Sequence, residues 1–150
     1  MAHRGMIEKR VIDSEGIELG VVSKVEDEYI EVSEGLFDEL LLKRSFIGKE
    51  EEEEVILKSD LHNLLVSLDV VDSKNEKLGT VLEEVTAGGV LDTLIIEGED
   101  KEMVFITLEE IYKIDEVITL DIDSSEVKYR QKTHTLRDHI RHYLEKRKSQ

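Results

Sequence analysis

Three histidines near the C-terminus, His134, His139 and His142, come closest in this chain to a metal-binding group. His139 and His142 stand three residues apart, which places two imidazoles on one helix face, as zinc sites do. They lack a carboxylate ligand at a fixed spacing, and the neighbouring Arg137 and Arg141 oppose a cation, so they read as structural or solvated histidines. Five consecutive carboxylates, Glu50 to Glu54, attract divalent cations, yet an ordered calcium site spaces its ligands around a sharp turn. The run reads as a solvated loop, with a basic docking partner as the alternative. Asp13 and Asp72 have the chemistry of a general acid or base, but they sit in duplicated D-S turns, which points to a structural role. The absence of Cys removes disulfides, thiolate ligands and thiol nucleophiles. No phosphate-cradling G-x-x-x-x-G-K-[ST], dinucleotide G-x-G-x-x-G or nucleophile-elbow G-x-S-x-G occurs. Ala87-Gly88-Gly89 lacks the helix start that would hold a phosphate. The expectation is a non-enzyme with no catalytic residue, no metal and no cofactor.

Charge narrows the partners. The 150 residues hold 36 Asp and Glu against 20 Lys and Arg, a formal charge of −16. A non-specific nucleic-acid binder needs a positive footprint, so direct nucleic-acid binding is not expected. No apolar run approaches the roughly 20 residues that cross a bilayer, and Met1 to Glu8 has no signal-peptide core. The expected location is cytoplasmic, with recruitment to a membrane-associated site left open.

The elements that must position any site are themselves repeated. Residues 11–22 read V-I-D-S-E-G-I-E-L-G-V-V and residues 70–81 read V-V-D-S-K-N-E-K-L-G-T-V. Val11, Asp13, Ser14, Leu19, Gly20 and Val22 recur 59 residues later, six identities in twelve positions. In each copy a short strand (Lys9–Ile12 in the first) leads into an Asx turn, where Gly16 supplies positive φ, and then into a longer strand such as Ile17–Val25. Gly20 and Gly79 fall inside that strand, where glycine marks a bulge or a close backbone approach. Gly79–Val85, Val90–Glu97 and Glu102–Thr107 alternate as strands, Leu108–Tyr112 reads as a helical turn, and Val117–Ile122 closes the copy. Glu54-Val-Ile-Leu-Lys aligns with Glu116-Val-Ile-Thr-Leu, and the first copy looks about three residues longer around Lys49–Glu54.

This V-[IV]-D-S-x4-L-G-x-V pattern, with its paired strands, short L-E-E-I turn and last strand, resembles the PRC-barrel family, named for the photosynthetic reaction-centre H subunit. The resemblance covers about 115 of the 150 residues. It implies an all-β fold of two tandem small PRC-type β-barrels, residues 1–64 and 65–122; the remainder, 123–150, reads from its own charge and spacing as a basic tail with a C-terminal amphipathic helix. A unit this small buries only about 60% of its unfolded surface, so the two barrels are expected to pack together and unfold in one transition. PRC barrels also occur in a bacterial ribosome-maturation factor and in archaeal cell-division proteins, where they act as docking modules without a shared catalytic set. The resemblance implies an adaptor in archaeal FtsZ-based division that docks a ring-associated membrane-anchor protein and assembles with itself or a PRC-barrel paralogue. The alternative is a ribosome-assembly or RNA-processing factor whose acidic barrels hold a basic ribosomal protein.

The tail reverses the charge. Residues 126–150 carry eight Lys and Arg against three Asp and Glu, a net +5, which leaves −21 on the rest. Leu136, Ile140, Tyr143 and Leu144 recur at helical spacing behind Thr135 and Asp138, a stripe with basic residues on the other faces. So short a helix needs a surface to bury against. Its destinations are a barrel of the same chain, a second subunit or other protein, or an anionic membrane surface. Acidic and basic segments on one chain suit head-to-tail assembly, which closes into rings or extends into filaments.

Overall fold

Short runs of β-branched and leucine residues, cut by Asp, Gly and Glu turns, form twelve strands in a computed structural model that describes residues 5–131, with side chains through Val127. The first six are β1 (Arg10–Ile12), β2 (Glu18–Val25), β3 (Tyr29–Ser33), β4 (Glu39–Lys43), β5 (Ile47–Glu50) and β6 (Glu54–Leu57). Helix α1 (Leu61–Leu65) separates them from β7 (Asp69–Val71), β8 (Lys77–Ala87), β9 (Val90–Glu97), β10 (Met103–Thr107), β11 (Ile111–Ile114) and β12 (Val117–Leu120). Helix α2 (Ser124–Gln131) follows. The protein is mostly β-sheet.

All twelve strands share one ladder, in the order β10-β9-β8-β7-β12-β11-β4-β3-β2-β1-β6-β5. Each half therefore repeats one internal order: fourth, third, second, first, sixth, fifth. In each half the first strand pairs antiparallel with the second and parallel with the sixth. The bulges recur too, at Val11/Ile12 and Val70/Val71, at Val22/Lys24 and Val81/Glu83, and at Ile47/Lys49 and Ile111/Lys113. The halves join through parallel pairing of β11 with β4, Lys113 against Leu41 and Ile114 against Leu42. The corresponding strands β5 and β10 are the two ends of the ladder. α2 packs against β10.

Register corrects two expectations. Arg10 lies opposite Glu54 and Asp69 opposite Val117, so Glu54 corresponds to Val117, not to Glu116. The longer copy is the second. The Val25–Ile30 pair corresponds to Glu84–Leu94, so four residues close the first hairpin and nine close the second. The extra length in the first copy at Glu51–Glu53 is a single residue, measured against the Asp115–Glu116 turn. The Leu108–Tyr112 segment divides into a 3-10 turn, Leu108–Glu110, and the start of β11. The Thr107 N–H donates to Glu110 Oε1 at 2.9 Å, which caps the start of that single turn.

Along β3, β4 and β6 buried and less buried residues alternate, as a sheet with one core face requires. Val11, Leu19, Val22 and Ile30 of the first half and Val70, Leu94, Ile96 and Ile118 of the second belong to one buried cluster. Val127 of α2, fully buried, belongs to it as well, so the first turn of the expected tail is part of the core. The buried cluster is thus continuous across the two halves.

Candidate functional site

The duplicated turns supply the only buried carboxylates among the described residues, Asp13 and Asp72, at 1% and 0% exposure. Asp13 Oδ1 accepts the backbone N–H groups of Glu15 at 2.9 Å and Ile17 at 2.8 Å, which tightens the turn between β1 and β2. Its Oδ2 accepts the N–H of Leu61, the first residue of α1, at 2.7 Å. Asp72 repeats the arrangement: Oδ1 accepts from Lys74 at 2.9 Å and Glu76 at 2.7 Å, and Oδ2 from Ser124, the first residue of α2, at 2.8 Å. Each carboxylate thus fixes a turn and the start of a helix about 50 residues away in sequence. Burial pushes the Asp72 carboxyl up, but the N–H groups of Glu76, Ser124 and Lys74 outweigh it and hold the group below the ordinary aspartate range. Oxygens so fully engaged with backbone donors are not available as a general base.

The glycine seven residues after each corner, Gly20 and Gly79, is where the sequence places a close approach. A Cβ on Gly20 would collide with the Ser33 carbonyl oxygen, and one on Gly79 with that of Glu97. Gly16 has φ +91°, and the equivalent second-half residue, Asn75, has φ +68°.

Beside Asp13 the longer second hairpin forms one wall of a cleft. The hairpin tip, Thr86 to Leu91, faces the β1–β2 turn and the start of α1 across this cleft of about 370 Å³. His62 Nδ1 and Glu84 Oε1, 2.8 Å apart, tie α1 to this hairpin. Ile17 and Val90 are 48% and 54% exposed at the cleft, and Leu36, Leu61 and Leu91 add apolar lining. Glu15, Glu18, Asp60 and Glu84 also line it, with His62 as the single basic side chain. Arg10 stands 3.7 Å from Glu18, and the Asn63 amide donates to Asp60 Oδ1. The cleft is apolar along its walls and acidic in charge. Its residues come from four separate segments, so no sequence spacing announces it. The single legible signal is the Ala87-Gly88-Gly89 turn at the end of a long second hairpin.

Glu50 to Glu54 is not a free loop. Glu50 ends β5, Glu54 begins β6, and Lys9 binds Glu50 at 2.7 Å while donating to the Glu51 carbonyl. Arg10 binds Glu54 at 2.7 Å, and Lys49 stands 2.8 Å from Glu51. Glu52 and Glu53 project into solvent. Among the described residues no three His, Asp or Glu side chains are placed to hold a metal ion, and no helix is long and apolar enough to cross a membrane. His134, His139, His142 and the stripe Leu136, Ile140, Tyr143 and Leu144 lie outside the described residues. Comparison with protein-family models finds no match, and comparison with curated proteins finds none either.

Proposed function

We propose that the chain is a non-enzymatic adaptor built from two tandem PRC-barrel-type units, working in FtsZ-based cell division of an archaeon. In this role it docks a ring-associated membrane-anchor protein and assembles with itself or with a PRC-barrel paralogue. The observation that carries the proposal is the pair of equivalent corners at Asp13 and Asp72. The residues with the greatest chemical potential are consumed, in both copies, by six backbone N–H groups that hold turns and helix starts. What differs between the copies is surface: a hairpin, a helix and the charge around them. A rigid duplicated frame with divergent surfaces is the construction a docking protein requires.

Affinity purification from the native host tests it, comparing the full chain with one ending at Gln131. The cut falls there because α2 contributes the fully buried Val127. Recovery of division-ring proteins or a second PRC-barrel protein supports the adaptor, and their loss with the shorter chain assigns the contact to residues 132–150. Recovery of ribosomal proteins in their place, reduced by moderate salt, would replace this reading with ribosome assembly.

A further inference from the structure

We infer that the cleft beside Asp13 is the receptor for the basic C-terminal segment, residues 132–150, of a second copy of this chain. The inference deepens the adaptor reading by naming the surfaces through which copies of the chain meet. Three observations carry it. First, the cleft combines exposed Ile17 and Val90 with an acidic lining, a surface that fits an apolar stripe flanked by cations. Second, residues 132–150 supply that chemistry: Leu136, Ile140, Tyr143 and Leu144 interleave with Arg137 and Arg141.

The third is reach. α2 starts on Asp72, at the N-terminal end of β8, whereas the hairpin wall of the cleft lies at the other end of that strand. The ten residue steps from Lys77 to Ala87 span about 33 Å. The tail of the same chain must therefore run along most of β8 to enter the cleft from the far end. A neighbour's stripe has no such limit. The two surfaces differ, so the contact is heterologous: each copy gives a tail to one neighbour and a cleft to the other.

The test uses the full chain and two double variants. Glu15→Lys with Val90→Lys reverses charge and removes apolar surface at exposed cleft positions. Arg137→Glu with Arg141→Glu reverses the tail. Light scattering is followed against concentration and ionic strength, with circular dichroism as the check on folding. The unaltered chain should grow in mass with concentration and shrink as salt rises. Each variant alone should stay at the monomer mass. Mixed together, they should form a two-chain species and nothing larger, because only one intact tail and one intact cleft remain to meet. A monomeric unaltered chain at every concentration overturns the inference. So does either variant that still self-associates fully, which would move the contact elsewhere. Monomeric variants whose mixture stays monomeric also overturn it, since that outcome belongs to a tail folded onto its own chain. None of these results depends on which host proteins are recovered, so the adaptor reading and this inference can fail separately.

Discussion

The two halves share one strand order and differ in what is attached to it. The shared parts are dictated by the backbone. Gly20 and Gly79 pass under a neighbouring carbonyl, Asp13 and Asp72 gather three N–H groups each, and Glu8 and Ser67 adopt φ values of +72° and +76° at equivalent positions. The differences lie outside this frame. Four residues close the first hairpin and nine the second, and β4 is flanked by β11 where β10 is packed by α2. Composition follows geometry. Glu31 of β3 and Leu41 of β4 are half-buried, while their equivalents Ile95 and Phe105 are buried at 1% and 4%. The stereochemically constrained positions agree between the halves, and the surface faces differ.

The largest predicted effect tests the shared frame. Gly79→Ala forces a Cβ into the Glu97 carbonyl at φ +157°, and Gly20→Ala does the same against Ser33 at φ +152°. Each substitution should lower the unfolding free energy by about 3 kcal/mol in urea titrations. Near-equal losses support equivalent frames. A loss confined to one glycine would show that one half carries the fold and the other adapts to it.

Next come the corners. Asp72→Asn keeps one acceptor oxygen but turns an amide donor toward an N–H that needs an acceptor, and should cost about 2 kcal/mol at neutral pH. Asp13→Asn should cost a similar amount. The pH dependence adds a second readout for Asp72, because its folded pKa lies below the unfolded value of about 3.9. Its stabilisation is present above that unfolded value and is lost as pH falls through the folded pKa. The gap between the parent chain and Asp72→Asn should therefore narrow as pH falls below that unfolded value. A gap that stays constant on acidification would mean that the carboxylate charge contributes nothing.

Sequence reading reached the frame for the same reason that the frame is shared. Gly20, Gly79, Asp13 and Asp72 perform jobs that few residues can do, so they survive in register and show as a repeat. Boundaries set by tertiary packing were less legible. L-E-E-I-Y has a helical composition, yet Ile111 and Tyr112 join β11 because β12 and β4 lie on either side of it. Leu61–Leu65 is too short for helical periodicity and forms against the core with Asp13 bound to its first N–H. The second helix starts at Ser124, where Asp123 Oδ1 accepts the Glu126 N–H at 2.9 Å, a capping signal in D-S-S-E that the more periodic stripe downstream obscured. Glu50 to Glu54 was legible in part: Glu52 and Glu53 are exposed as their charge suggests, while Glu50 and Glu54 bind Lys9 and Arg10 and belong to β5 and β6. The cleft left no linear trace, because four segments must fold before it exists.

A smaller effect probes how the halves are joined. The Tyr29 hydroxyl of β3 donates to Asp115 Oδ2 at 3.0 Å across the β4–β11 seam, and Lys113 stands 5.7 Å from the centre of the Tyr29 ring. The bond to Asp115 raises the Tyr29 pKa above the ordinary phenol value. Burial pushes Asp115 upward, but the Val117 N–H, Tyr29 and the Lys113 charge hold it below the usual range. Tyr29→Phe keeps the ring and loses this bond, so the cost should be about 1 kcal/mol with a single thermal transition preserved. Two transitions in the variant would mean that the seam, and not the continuous core, couples the halves.

The smallest predicted effect on stability is the one that separates frame from surface. Val90 is 54% exposed at the hairpin tip, and Val90→Lys removes no core contact and frees no buried polar group. Its unfolding free energy should stay within about 0.5 kcal/mol of the parent. Set beside Gly79→Ala, which changes one methyl on the same hairpin, the contrast is between a position that the backbone requires and one that folding leaves free. Val90 shares the cleft with the exposed Ile17, and apolar side chains grouped in this way suit contact with another protein. A stability loss comparable to that of Gly79→Ala would remove this reasoning, because Val90 would then belong to the frame and the second hairpin would be longer for the sake of the fold.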